Sequence, residues 1–184
     1  MADMAAVFMD GGYLSKLLRN YFGEPRIDYA KFAAWCASGM TVFRVYYYDC
    51  LPHQSSYPSE EERERLSRAQ RFFTALQRLD RFTVRQGRLA YRGVDDKGYP
   101  VYQQKQVDLQ LGLDIASVVS RGVVRMIVLV SGDSDLIPAV QFAQQEAVLV
   151  RLVHGPERTY HQDLWDIADE RYQITEDIIR QFIR

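Results

Sequence analysis

Residues Met126-Ile127-Val128-Leu129-Val130 are apolar at every position and then break into Ser131-Gly132-Asp133-Ser134-Asp135. A strand with one wet face alternates apolar and polar residues, so a continuous run belongs to a strand covered on both faces, as in mostly parallel α/β sheets. Ala5-Ala6-Val7-Phe8-Met9, ending at Asp10-Gly11-Gly12, has the same form, and Val148 to Val153 reads as another buried strand. Between them lie helical patterns. Leu14, Leu17, Leu18 and Tyr21 share a helix face that Gly23-Glu24-Pro25 stops, and Tyr29 to Ser38 reads as a second helix. Thr41 to Asp49 is β-branched and aromatic, hence a strand. Ser59-Glu60-Glu61-Glu62 opens a helix with a capping-box pattern. Phe82 to Gln86 and Arg88 to Tyr91 flank Gly87 and read as a hairpin, with Gly93 to Pro100 a turn-rich loop. Val107 to Ser120 is apolar on nearly every side and predicts a buried helix, followed by a helix over Leu136 to Gln145 and a last one from about Glu176.

The alternation of strands and helices predicts an α/β fold in three layers, with a central, mostly parallel sheet flanked by helices. A chain of 184 residues buries roughly 70% of the surface its unfolded form exposes, so one domain is expected over 1–184. A helix-and-hairpin excursion occupies about 52–104. No apolar run approaches the roughly 20 residues of a membrane helix. The N-terminal residues carry no basic leader or small-residue cleavage site, so a cytoplasmic protein is expected. Cys36 and Cys50 are too few for a disulfide framework, and no C-x-x-C or H-E-x-x-H spacing is present.

Ligands of open α/β sheets bind beyond the carboxyl ends of the strands, and two such ends here carry acids. Asp10 closes the first strand; Asp133 and Asp135 follow the run from Met126. Capping of the helix near Pro138 accounts for one of these acids but not for two of them plus Asp10. Asp108 and Asp114 interrupt an otherwise apolar helix, where a carboxylate is expensive unless paired or bound to metal. Their spacing sets them about 120° apart, so both face one ion only if Asp108 stands at the helix start. The structural alternatives are an N-cap for Asp108 and, for Asp114, a salt bridge to Arg121 or Arg125. Gathered carboxylates repel unless a cation neutralises them, and hard oxygen donors suit Mg²⁺ or Mn²⁺.

Phe8-Met9-Asp10-Gly11-Gly12, Lys105-Gln106-Val107-Asp108 continuing to Asp114, and Leu129-Val130-Ser131-Gly132-Asp133-Ser134-Asp135-Leu136 resemble, in order, the three motifs of NYN domains. The likeness is to the LabA-like branch of the PIN-like nucleases, and Leu164 to Asp169 is similar to that branch's ending. The resemblance implies a Rossmann-like domain with an acidic pocket for Mg²⁺ or Mn²⁺ that cleaves RNA by metal-activated water. Carried over residue by residue, Asp10, Asp108, Asp133 and Asp135 are the catalytic acids and metal ligands, with Asp114 a further ligand and Lys105 the basic residue before the middle motif. Ser131 and Tyr13 stand where substrate contacts are expected. Tyr13 replaces an Asn frequent in the family, and Gln106 a common Gly.

Net charge is −1, yet the 23 basic residues divide into 19 Arg and 4 Lys. Residues 59–92 hold nine Arg against five acids. Arg71, Arg78, Arg85 and Arg88 are therefore candidates for carrying an RNA backbone, with Tyr91 or Tyr99 for base stacking; a solvated helix face laced with Glu to Arg pairs is the plainer reading. The expected partner is single-stranded RNA, and a homodimer is compatible. An aspartyl phosphatase would want a Lys after Asp133-Ser134-Asp135, and no Lys follows Lys105. No G-x-G-x-x-G, P-loop or nucleophile elbow is present, and His53, His154 and His161 all read as loop residues. The rival from another class is a domain of the same fold that binds RNA or a protein with little or no turnover.

Overall fold

The computed structural model describes residues 3–98, 100–105 and 107–184, omitting the side chains of residues 88, 90, 91, 100 and 102–105. Seven strands, β1 (Met4–Asp10), β2 (Thr41–Cys50), β3 (Phe82–Val94), β4 (Pro100–Lys105), β5 (Met126–Val130), β6 (Leu149–His154) and β7 (Glu170–Gln173), form one sheet. Its order is β4-β3-β2-β1-β5-β6-β7. Every pairing is parallel except β3 with β4.

Helices α1 (Gly11–Tyr21), α2 (Tyr29–Cys36), α3 (Glu60–Gln77) and α7 (Glu176–Arg180) cover one face; α4 (Val107–Ser120), α5 (Ile137–Gln145) and α6 (Gln162–Ile167) cover the other. Successive strand residues point to opposite faces, which is how continuous apolar runs serve two cores. Val7 and Met9 enter the α1–α3 core while Ala6 and Phe8 enter the α4–α6 core, and all four are wholly buried. The predicted capping box forms at Ser59 and Glu62.

Three expectations need correction. The hairpin does not turn at Gly87: β3 runs unbroken for 13 residues, and Gly87 pairs in parallel with Cys50. In this part of the chain the glycines with left-handed backbone are Gly93 (φ 107) and Gly98 (φ 80), so the chain reverses there and returns as β4. A glycine between apolar runs signals a turn only when the strand lacks a continuing partner, and β2 supplies one. Second, α4 is not buried all round: Leu111 and Ile115 are wholly enclosed, whereas Leu109 and Leu113 are 65% and 62% exposed. Third, His154 is the last residue of β6 and is buried.

The sheet order reverses direction at β1, whose neighbours are β2 and β5. That places a crevice beyond the carboxyl ends of β1 and β5. Beyond Cys50, β3 leaves the main sheet and continues with β4 as a two-stranded arm beside this crevice.

Candidate active site

Asp10 ends β1 and caps α1, its Oδ1 accepting the Tyr13 N–H at 2.9 Å. The turn from strand to helix is tight because Gly11 lies against the Tyr47 ring; a Cβ there would stand 2.5 Å from it. Ser131, wholly buried after β5, points its hydroxyl at the other Asp10 oxygen over a long 3.5 Å and accepts the Asp133 N–H at 3.2 Å. It thus joins the two strand ends. Asp133 caps the short 3-10 turn Ser134–Leu136 by accepting the Asp135 N–H at 2.9 Å. Asp108 stands in the first turn of α4, one residue inside the helix, so it is not the N-cap.

These acids share one field. Burial pushes the Asp10 carboxyl up to about 6; its bond from Tyr13 opposes this, and Asp108, Asp49 and Asp133 raise it further. Asp108 is also raised, by burial and then by Asp133 and Asp135. Three separate elements therefore deliver carboxylates to one place. The N-termini of α1 and α4 offset part of the repulsion, because the helix dipole favours negative charge there. A cleft of about 890 Å³ opens over them, lined by Asp10, Asp108, Asp133, Leu89 of the arm, Lys16 and Tyr160.

Asp114 takes a different course. Its carboxylate accepts from the Tyr48 hydroxyl at 2.8 Å and from Arg85 Nε and Nη2 at 3.0 and 3.2 Å. The salt bridge anticipated for it exists, but its partner is Arg85 rather than Arg121 or Arg125. The two candidates are thus paired with each other, and neither is among the residues that line the cleft. Tyr13 lies at the cleft with its hydroxyl accepting the Gly155 N–H at 3.0 Å and meeting Thr159 Oγ1 at 3.3 Å. Lys105 ends β4 paired with Arg88, but both side chains, and that of Tyr91, lie outside the described residues, as does Tyr99.

Sequence reasoning missed Asp49. It stands one residue beyond Tyr48, the parallel partner of Asp10, and its charge reaches both Asp10 and Cys50. The rule that singled out Asp10, an acid at the end of a strand, applies equally to Asp49. His154 is committed elsewhere. Its Nδ1 meets the Gly155 carbonyl at 2.8 Å and Nε2 accepts from the Trp165 indole at 3.2 Å, while burial lowers its pKa.

Among the described residues, no three His, Cys, Asp or Glu side chains form a ready-made metal cage. The donor set nevertheless fits a hard cation held by one or two carboxylates, with water and phosphate oxygens completing the shell. A softer ion requiring four protein ligands does not fit it.

An α/β sheet with an acidic cleft at the reversal of strand order defines a Rossmann-like domain with a site for a cation or a polar ligand. The chain belongs to the NYN domain family, whose model matches residues 4–175. NYN domains form part of the PIN-like nuclease superfamily, which points to a nuclease or RNA-related role. A crystal structure of a protein of unknown function from Vibrio parahaemolyticus is similar over 100% of this chain and 97% of that one, with a TM-score of 0.69 and 22% identity. That likeness concerns the fold. Among curated proteins, none matches the chain. Among the described residues no helix is long and apolar enough to cross a membrane.

Proposed function

We propose that the chain is a metal-dependent ribonuclease that hydrolyses phosphodiester bonds of RNA at Asp10, Asp108 and Asp133, with Asp135 and Asp49 shaping the field around them. The observation that carries this reading is the convergence of carboxylates from β1, α4 and the segment after β5, close enough for Asp108, Asp49 and Asp133 to raise Asp10. Like charges held together at this cost are characteristic of functional sites. Mg²⁺ or Mn²⁺, when bound, supplies a water of lowered pKa and positive charge for the developing oxyanion. One or two of Asp10, Asp108 and Asp133 would hold the ion directly, with water and phosphate oxygens completing its shell. Ser131 orients Asp10 and the Asp133 backbone together, keeping two of those groups in register. An ionised Asp10 binds a cation better than a protonated one, so activity should rise with pH through about 6 at limiting metal.

The test is cleavage of an end-labelled RNA by purified protein with Mg²⁺, Mn²⁺ or a chelator. Metal-dependent cleavage that Asp133→Asn removes is expected. Cleavage at the wild-type rate by the variant, after rigorous removal of contaminating ribonuclease, would refute the assignment.

A further inference from the structure

The cleft has a cationic side that the sequence motifs did not mark. Lys16, on the outer face of α1, and Arg158, after β6, are both exposed and both line it. Neither makes an ion pair among the described residues. Arg158 also has left-handed backbone, φ 70, at a position where a turn favours glycine. The turn is closed by Thr159, whose N–H and hydroxyl both donate to the Pro156 carbonyl, at 3.2 and 2.6 Å. It is anchored at both ends: Gly155 donates to the Tyr13 hydroxyl at 3.0 Å, and His161 N–H to the Gly132 carbonyl at 2.9 Å. Gly132 has no room for a Cβ, which would strike the Thr159 carbonyl and the Tyr13 ring. A strained, charged residue on a loop this firmly held is a functional signal.

Tyr160, two residues on, is half-buried and lines the same cleft. His154 backs its ring edge-on at 4.5 Å, and the Trp165 ring lies nearly parallel to it at 6.5 Å. Trp165 is fixed in turn by its bond to His154 and by the Arg171 guanidinium 4.3 Å from its ring centre. The result is a rigid aromatic surface beside two unpaired cations.

The geometry points to a subsite for single-stranded RNA in which Lys16 and Arg158 hold a backbone phosphate adjoining the scissile one, and Tyr160 stacks the neighbouring base. Stacking on a side chain requires a base already out of its helix, which selects a single strand over a duplex. The inference deepens the nuclease reading and rests on it for the identity of the ligand.

The experiment measures fluorescence anisotropy of a labelled oligoribonucleotide, single-stranded or in duplex, with Asp133→Asn protein so that nothing is cleaved. Adding Lys16→Ala and Arg158→Gly should weaken single-strand binding about tenfold at about 0.1 M salt and flatten the logarithmic salt slope by about 1.4, or 0.7 per contact. Glycine preserves the left-handed turn, and Arg158→Lys should restore part of the slope. Tyr160→Ala should weaken binding by about fivefold or more at unchanged slope, and Tyr160→Phe should not. Unchanged affinity and slope in these variants, or equal binding of duplex, overturns the subsite. Wild-type cleavage is assayed in parallel. Cleavage with unaffected variants overturns the subsite alone; RNA binding with these effects but no cleavage overturns the nuclease reading alone; neither binding nor cleavage overturns both.

Discussion

Asp108 and Asp114 lie on one helix, six residues apart, and the chain treats them oppositely. Asp114 receives a guanidinium from β3 and a hydroxyl from β2, so its charge is matched within the fold. Among the described residues, the charges that act on Asp108 are those of further acids, Asp133 and Asp135, from the segment after β5. An acid whose counter-charge comes from its own chain is structural; one left among like charges needs something from outside. Composition does not separate the two, because both are aspartates interrupting the same apolar helix.

The sharpest way to break this contrast is activity. Asp108→Asn, like Asp133→Asn, should lower metal-dependent RNA cleavage on the order of 1000-fold, because it removes a ligand charge while keeping the shape. Asp114→Asn should stay within a few-fold of wild type. Equal loss in Asp108→Asn and Asp114→Asn, measured in single-turnover assays, would erase the distinction.

Stability should move the other way. The folded state holds a proton on Asp10 up to about 6, whereas the unfolded chain releases it near 3.8. The ionised carboxylate is therefore disfavoured by folding, and stability is lost as pH rises through that window. At pH 7 the cost is about 3 kcal/mol, so Asp10→Asn, which can still cap α1, should be more stable by up to that amount. The advantage should vanish below about pH 4. Denaturant melts across pH would measure it, and Mg²⁺ or Mn²⁺ should stabilise the wild type more than the variant. A variant no more stable at pH 7 would contradict the burial described for Asp10.

Asp114→Asn should instead cost about 1 kcal/mol at neutral pH, since the Tyr48 bond survives and the partner Arg85 is 45% exposed and screened. Thermal melts of Asp114→Asn, of Arg85→Ala and of the double variant would expose the coupling; additive losses would mean the pair does not act as a pair.

The smallest effect is expected on α3. Among the described residues Arg63, Arg65, Arg68, Arg71 and Arg78 make no ion pair, so the anticipated lacing of this helix by Glu to Arg bridges is not seen. Yet α3 leads from the carboxyl end of β2 back toward the start of β3, which carries Arg71 and Arg78 away from the cleft. Arg71→Ala with Arg78→Ala should change RNA affinity less than about twofold at physiological salt, against about tenfold for the Lys16 and Arg158 pair. A larger change in anisotropy titrations would move the RNA path onto this helix.

What could be read in advance divides along physical lines. The strands of the inner sheet and the acids at the ends of β1 and β5 were legible because burial on two faces leaves an unbroken apolar run, and the residue that breaks it is conspicuous. β7 was not: Glu170-Arg171-Tyr172-Gln173 has no apolar run, and it pairs because β6 offers an edge. Asp49 passed unnoticed because Thr41–Cys50 is rich in tyrosine and carries Arg44, so its end is less abrupt. The Arg85 to Asp114 pair joins a strand to a helix 29 positions on, a separation that no local pattern encodes. The cationic side of the cleft depends on a turn pinned by Tyr13, 142 positions from its partner Gly155.

The modest last strand has an effect on how molecules of this protein meet one another. An exposed sheet edge is a template on which a second chain can add a strand, and long, flat, apolar edges are where aggregation begins. β7 offers four residues, two of them charged, with Arg171 tied back to the Trp165 and Asp166 carbonyls. The opposite border, β4, begins at a proline, which has no N–H to offer. The adhesive segments, β1 and β5, lie in the interior of the sheet. Self-association through β1 or β5 therefore requires prior unfolding, and its onset in a heating experiment should follow the melting transition rather than precede it.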